Sequence, residues 1–429
     1  MSLPQVGVRF RRVRIRANAF HCQARSSEGG PGSGRAVPWT FHGGGFNPLF
    51  WIHGHSFEVS DCDLWSTWSV FHSNGGGPGR YGLMARNQIY NGGSCHWFDN
   101  GRELIFESNT CIGNNPMSMG NNVDTYGGGY AHHVYIGSNH ISQIWGNDRE
   151  TMTYDNAGNA YFGAIASTSA DGTKLTIPKG FDPKSHSYTD KIEGGAMVVI
   201  SGAGAGQYRR VVDWPAAACH NRSCAFTINS KLDAPLDASS VVEVMPFRGK
   251  NIFHRTSYND VGAFQFYGIG VDNQVVGMTM ARGGGFAAWG QNRGAPPWTG
   301  ETVSADAPPA TKGFGFVNPN LMNVFHGNQV LEGLRAEHQG SPLGTGGWGD
   351  GLQFSGHVFA IQDARPDLNR FIVFRNNSAM SNGGFYIGGS SDVLLEGNKV
   401  SNTPKQSVSG QEHYHVTADA VATLLVHNA

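Results

Sequence analysis

The chain has 429 residues, of which only 15% are charged and 61 are glycine, and its net charge is −1. Typical domains carry about 25% charged residues, so this one has no general field for nucleic acid or an anionic membrane. No run of about 18 apolar residues occurs, so membrane insertion by a helix is not expected.

Long runs of Ala, Leu, Glu and Lys are missing as well, which argues against a helical protein. Abundant Gly and Asn suit short strands joined by tight turns. At the start, Val8-Arg-Phe10 and Val13-Arg-Ile15 alternate apolar and basic residues around Arg11-Arg12. This predicts two short strands with one buried face. The arginines read as a solvated strand face rather than a nucleic-acid stripe, because no aromatic platform accompanies them. MSLPQVGVRFRRVRIRANAF lacks the apolar core of a signal peptide, and TLLVHNA at the other end opens a strand. The chain is therefore read as a section of a longer protein.

One phrase then returns: a short apolar run, a gap that often holds Asn, and another apolar position. It occurs as FEVSDCDLW at 57–65, LMARNQIYN at 83–91, LIFESNTCI at 104–112 and VYIGSNHIS at 134–142. It resumes as NIFHRTSYN at 251–259, VVGMTMARG at 275–283, NVFHGNQVL at 323–331, FIVFRNNSAM at 371–380 and VLLEGNKVS at 393–401. Asn87, Asn109 and Asn139 are spaced by 22 and 30 residues, and so are Asn376, Asn398 and Asn428. Variable periods with a fixed strand phrase predict stacked parallel repeats whose loops differ in length. Asn87, Asn109, Asn139, Asn328 and Asn398 are expected to stack their amides from repeat to repeat, a structural role.

Between 164 and 250 the phrase is absent. ADGTKLTIP, GGAMVVISGAGAGQYRRVVDW and CAFTINSKLDAPLDASSVVEVMPF alternate strand and turn residues, which predicts a small antiparallel β domain. GAGAGQ is followed by a β-branched, Arg-rich strand, so a dinucleotide-binding reading fails its context. Three units are expected: 1–163, 164–250 and 251–429. Cys219 and Cys224 bracket a short loop, and Asn221-Arg-Ser and Asn376-Asn-Ser are glycosylation patterns; an extracellular or cell-surface location is expected. Cys62, Cys95 and Cys111 read as buried small apolar residues. The segments 293–313 and 337–351 leave the pattern, the second carrying Trp348 and Asp350.

Residues 1–163 and 251–429 resemble the right-handed parallel β-helix of the pectate-lyase type. The expected fold is all-β: a right-handed parallel β-helix solenoid with an inserted small antiparallel β domain. GAGAGQYRRVV is similar to a module found within or beside β-helices of phage and bacterial surface proteins. The resemblance implies a polysaccharide substrate or ligand. Asn122-Val-Asp124 is only distantly similar to a polygalacturonase motif. The segment His132-His133-Val-Tyr-Ile-Gly-Ser-Asn echoes a pectate-lyase segment without its Asp. No metal site or cofactor is read from the residues, and the resemblance leaves calcium open.

The densest chemistry lies between Gly120 and Gly163. If extended, Asp148 and Glu150 would share one side of a strand with Cα atoms about 6.6 Å apart, the arrangement an acid–base pair for glycosidic cleavage needs. Asp155 is a reserve carboxylate, Arg149 and His133 are assigned to orient the sugar, and Trp145 and Tyr126 to stack on it. Asp124 and His132 complete that group of candidates. Asp260, Gln265, Asp272 and Arg282 form a second cluster, with Trp348 and Asp350 as further binding residues. The expected activity is polysaccharide cleavage, hydrolysis preferred to elimination because carboxylates outnumber basic groups. The alternative is a noncatalytic glycan-binding surface or adhesion protein.

Overall fold

The computed structural model describes residues 5–6, 9–12, 14–16, 50–51, 54–65, 69–72, 80–90, 94–97, 101–112, 117–118, 131–142, 152–154, 160–178, 194–214, 224–259, 261, 263–281, 283–293, 316–332, 357–362, 368–380, 383–401 and 414–428. Among them there is no α-helix. The all-β expectation holds, and most strands lie in parallel sheets.

Three sheets are long: one of eleven strands and two of ten. The chain visits them in a fixed order, pass after pass, and each pass pairs in parallel with the next. Leu83–Ala85 pairs in register with Ile105–Glu107, and Gln88–Tyr90 with Thr110–Ile112. Each strand is only two to six residues long, because apolar and polar positions alternate over three residues before a turn intervenes. In the eleven-strand sheet the middle residue of nine successive strands faces inward. Val59, Met84, Phe106, Ile136, Phe253, Val275, Phe325, Phe374 and Leu395 form one buried column. Residues one step away, such as Ile105 and Ile252, are exposed. One of the ten-strand sheets adds a second inward column, in which Phe286, Phe359, Phe385 and Tyr414 stack face to face. One apolar cluster runs through all these passes.

Two corners of each pass use the left-handed backbone region. The upstream corner, before the eleven-strand sheet, holds Ser56, Tyr81, Glu103, His133, Lys250, Asp272, Met322, Phe371, Asp392 and Ala422 at positive φ. The downstream corner holds Arg12, Asp61, Arg86, Ser108, Ser138, Arg255, Gly277, Gly327, Asn376, Gly397 and His427. The residue that follows a corner points inward, and there the amides stack. Asn87 Nδ2 donates to Asn109 Oδ1 and to the Val59 carbonyl, and Asn109 Nδ2 donates in the same way to Asn139 Oδ1 and the Met84 carbonyl. Asn328, Asn377, Asn398 and Asn428 continue the column. The repeating asparagine near 376 is thus Asn377, whereas Asn376 supplies the left-handed corner before it.

The column is interrupted for two passes by Thr256 and Met278. In those passes and the next, a second ladder of Asn251, Asn273 and Asn323 forms at the upstream corner. The buried Tyr154 hydroxyl accepts from Asn251 Nδ2 and donates to Asn273 Oδ1.

A fourth, short parallel sheet precedes the upstream corner. Its strands are Ala131–His132, Arg248–Gly249, Gly270–Val271, Asn320–Leu321 and Asn369–Arg370. Bridges extend it through Arg80 and Arg102 to His132. Between Tyr161 and Met245 the chain forms a seven-stranded antiparallel sheet. The face of this sheet carrying Met197, Val199, Val242 and Val244 packs within its own cluster. The other face carries Phe162, Ala196, Val198, Ile200 and Met245, and packs on Ile269, Val271, Leu321 and Leu368 of the parallel body. Cys62 and Cys111 are buried, and Cys224 is disulfide-bonded.

Candidate functional site

The short sheet determines where polar chemistry can gather. Successive passes align Arg80, Arg102, His132, Gly249, Val271 and Leu321 in one column. Val271 and Leu321 lie beneath the antiparallel sheet; before them the column changes to a His and two Arg side chains. One residue on, the upstream corner stacks Glu103, His133, Lys250 and Asp272 at a spacing of about 4.8 Å. Holding a non-Gly residue in that region costs roughly 1 kcal/mol each.

The antiparallel sheet supplies the opposite wall. In GAGAGQYRR, Gly202, Gly204 and Gly206 have φ of 77°, 79° and 89°, a turn in which side chains would be strained. Gln207 fastens the turn: its Nε2 donates to the carbonyls of Gly204 and Ala234, and its Oε1 accepts from the amides of Asp233 and Ala234. The following strand, Tyr208–Asp213, then presents Tyr208, Arg209 and Arg210. Tyr208 donates to Asp272 Oδ2 at 2.7 Å and stacks on Phe247, and Lys250 Nζ lies 5.5 Å from its ring centre. Arg209 is held by Asp233 and the Lys231 carbonyl.

Between the two walls lies a cleft of about 420 Å³. Among the described residues five cationic side chains line it, Arg80, Arg102, Arg209, Arg210 and Lys250, against one carboxylate, Glu103. His132, His133, Tyr208 and Phe247 complete the polar and aromatic surface. The buried Nε of Arg80 makes no hydrogen bond. In a chain with net charge −1, this is a strong local excess of positive charge.

That excess governs the imidazoles. His132 and His133 hydrogen-bond through their Nδ1 atoms at 2.8 Å, which requires one ring to donate and the other to accept. Burial holds His132 down to a pKa of about 3, with Arg102, His133, Arg80 and Arg210 adding to the effect. His133 is lowered by burial and by Lys250. Burial, together with the bond to Asp272, raises the Tyr208 hydroxyl. The cleft thus offers fixed cations beside a neutral imidazole pair. It suits an anion, and the one carboxylate among its described lining residues does not suit calcium, which prefers several oxygen ligands. Among the described residues no three His, Cys, Asp or Glu side chains converge on a metal position.

Of the residues predicted from sequence, His132 and His133 lie in this cleft and Asp272 lies at its edge through Tyr208. Gln265 does not join Asp272. It is buried on a ten-strand sheet, paired with Thr153 and Ala287. The chain turns to the short sheet before Asp272, so nearness in sequence separates the two in space. Asp124, Tyr126, Trp145, Asp148, Arg149, Glu150, Asp155, Asp260, Arg282, Trp348 and Asp350 lie outside the described residues. Arg80, Arg102, Tyr208, Arg209, Arg210 and Lys250 were missed from sequence. The available signal was the Tyr-Arg-Arg run directly after a glycine turn. No protein-family model matches the chain, and no curated protein matches it.

Proposed function

We propose that the parallel passes form a right-handed parallel β-helix solenoid, with residues 164–250 as an inserted antiparallel domain, and that the protein recognises an acidic polysaccharide outside the cell. Five cations facing one carboxylate in a cleft with Tyr208 and Phe247 carry this reading. Guanidinium groups bind carboxylate or sulfate through paired N–H donors, and aromatic faces pack against sugar rings. Within this reading Arg80, Arg102 and Arg210 grip the acid groups and Tyr208 orders the wall. Asp148 and Glu150 are retained as the candidate pair for hydrolysis. The cleft itself favours elimination: a guanidinium can neutralise the uronate acid group while a neutral imidazole takes the adjacent ring proton, the C–O bond to the leaving sugar breaks as the ring double bond forms, and the proton passes on to the departing oxygen. Without cleavage, the same surface serves adhesion.

The test is titration calorimetry with polygalacturonate, a sulfated glycan and neutral dextran. The acidic polymers are expected to bind, with affinity falling as salt rises. Arg210→Ala should weaken binding about 10- to 100-fold, the worth of a charge-assisted contact. Equal binding of dextran, or an Arg210→Ala protein that binds normally, would remove the acidic-glycan reading. New ultraviolet absorbance from an unsaturated product marks elimination, and new reducing ends without it mark hydrolysis.

A further inference from the structure

Glu243 is wholly buried, and neither of its carboxyl oxygens makes a hydrogen bond. It lies on the strand Val241–Met245, directly opposite Phe162 on one side and Val198 on the other. Residues opposite each other in an antiparallel sheet share a face. Phe162, Val198 and Met245 belong to the cluster packed on Ile269, Val271, Leu321 and Leu368. The carboxyl therefore sits on the face that seats the antiparallel sheet on the parallel body, where every fully buried member of the cluster is apolar.

Among the described residues, the charged and titratable groups along the seam are engaged elsewhere. Tyr208 donates to Asp272, and Lys250 lies over the Tyr208 ring. Arg370 holds Asp392 and the Ile200 carbonyl. Arg248 is buried with interactions of its own. Burial alone, with no neighbouring charge contributing, raises the Glu243 carboxyl well above its ordinary value. An ionised carboxylate without partners is strongly disfavoured in such surroundings.

We propose that protonation of Glu243 governs the seating of the antiparallel sheet, so that the cleft is assembled while this carboxyl is neutral and loosens as the pH rises. Lifting the sheet exposes Glu243 to water, where it ionises as an ordinary carboxyl. The folded value is the raised one, so the seating contribution is complete below the ordinary carboxyl range near 4.5. Above it, each opening releases one proton, and the lifted fraction grows about tenfold per pH unit until the seated form also ionises. The cleft has walls from both sheets, so lifting separates Tyr208 from Asp272 and Arg210 from His132. A leucine at position 243 would hold the seam at every pH; glutamate makes it conditional. The proposal stands on the seam and not on which anion the cleft accepts.

The experiment places a cysteine at Leu321, beneath the sheet, in the full-length chain and follows maleimide labelling from pH 5 to 9. Rates are divided by those of a free thiol at the same pH. The Leu321→Cys protein should show a rate that rises with pH above the ordinary carboxyl range, by up to about tenfold per unit, and levels off where the seated form itself ionises. Leu321→Cys combined with Glu243→Gln, or with Glu243→Leu, should show a flat profile. Two variants are used because Gln keeps the polarity and Leu removes it, so misfolding of one leaves the other informative. A flat profile with Glu243 intact, or an equal slope in all three proteins, overturns the proposal. The slope with Glu243 intact, combined with no glycan bound at any pH, supports it and removes the acidic-glycan reading instead.

Discussion

At the scale of single residues, two adjacent asparagines separate two kinds of demand. Asn377 accepts from the Asn328 amide and Nδ2, and donates to the Phe325 carbonyl and Asn398 Oδ1. Asn377→Ala strands these buried groups and should cost about 3 kcal/mol, since each unpaired group costs about 1–3 kcal/mol. Asn376 serves through its φ of 54°, so Asn376→Ala should cost only about 1 kcal/mol. Denaturant melts of the two variants measure the contrast, and equal losses would refute the ladder. His132 makes a second test. Its ring should remain neutral down to about pH 3 in an NMR titration, and a bound polyanion should move that titration upward by screening Arg102 and Arg80. Because the folded value lies below the ordinary 6.5, the unfolded chain takes the proton first. Stability is therefore lost as the pH falls from about 6.5 toward 3. Titration near 6.5 in the folded protein would mean that the cleft is ordinary solvent.

At the scale of elements, glycines with similar φ are not equivalent. A Cβ on Gly202 would sit 2.0 Å from the Ser239 carbonyl oxygen, with φ at 77°, whereas Gly327 at φ 65° has open space around it. Gly202→Ala should cost well over the roughly 1 kcal/mol expected for Gly327→Ala, and it should also weaken anion binding by shifting Tyr208. Thermal melts paired with binding titrations test both halves. The strand phrases were legible because short apolar runs and asparagines recur at fixed offsets, and the amide column at Asn87, Asn109 and Asn139 follows from them. The second ladder was not legible: Asn251, Asn273 and Asn323 lie at the other corner, and no single spacing separates the two columns. The cleft was hidden for a related reason. Arg80, Arg102 and His132 are far apart in sequence and meet only through register, and Arg210 reaches them from a separate sheet. His132 and His133 were legible because two adjacent imidazoles stand out anywhere.

At the scale of the whole molecule, among the described residues the apolar interior of the parallel passes contains none from the antiparallel sheet. Deleting 161–247 behind a short Gly-Ser bridge should therefore keep the parallel β signature in circular dichroism. It also uncovers Ile269, Val271, Leu321 and Leu368, so the shortened chain is expected to aggregate until those four positions are made polar. Loss of all β structure even in the polar version would show that the antiparallel sheet is integral to the body. The two amide ladders have a further consequence, for how such a gene can lengthen. A duplicated stretch from the Asn328–Asn428 run lands beside neighbours that use the same corner, and each copy finds its hydrogen bonds ready. A copy of the Asn273 pass moved into that run brings its amide to the wrong corner and Met278 to the ladder position, which severs the column and strands buried groups at about 1–3 kcal/mol apiece. Lengthening by tandem copying is open toward both ends of the chain, where Asn87 to Asn139 and Asn328 to Asn428 share one corner, and closed in the middle, where the antiparallel sheet sits.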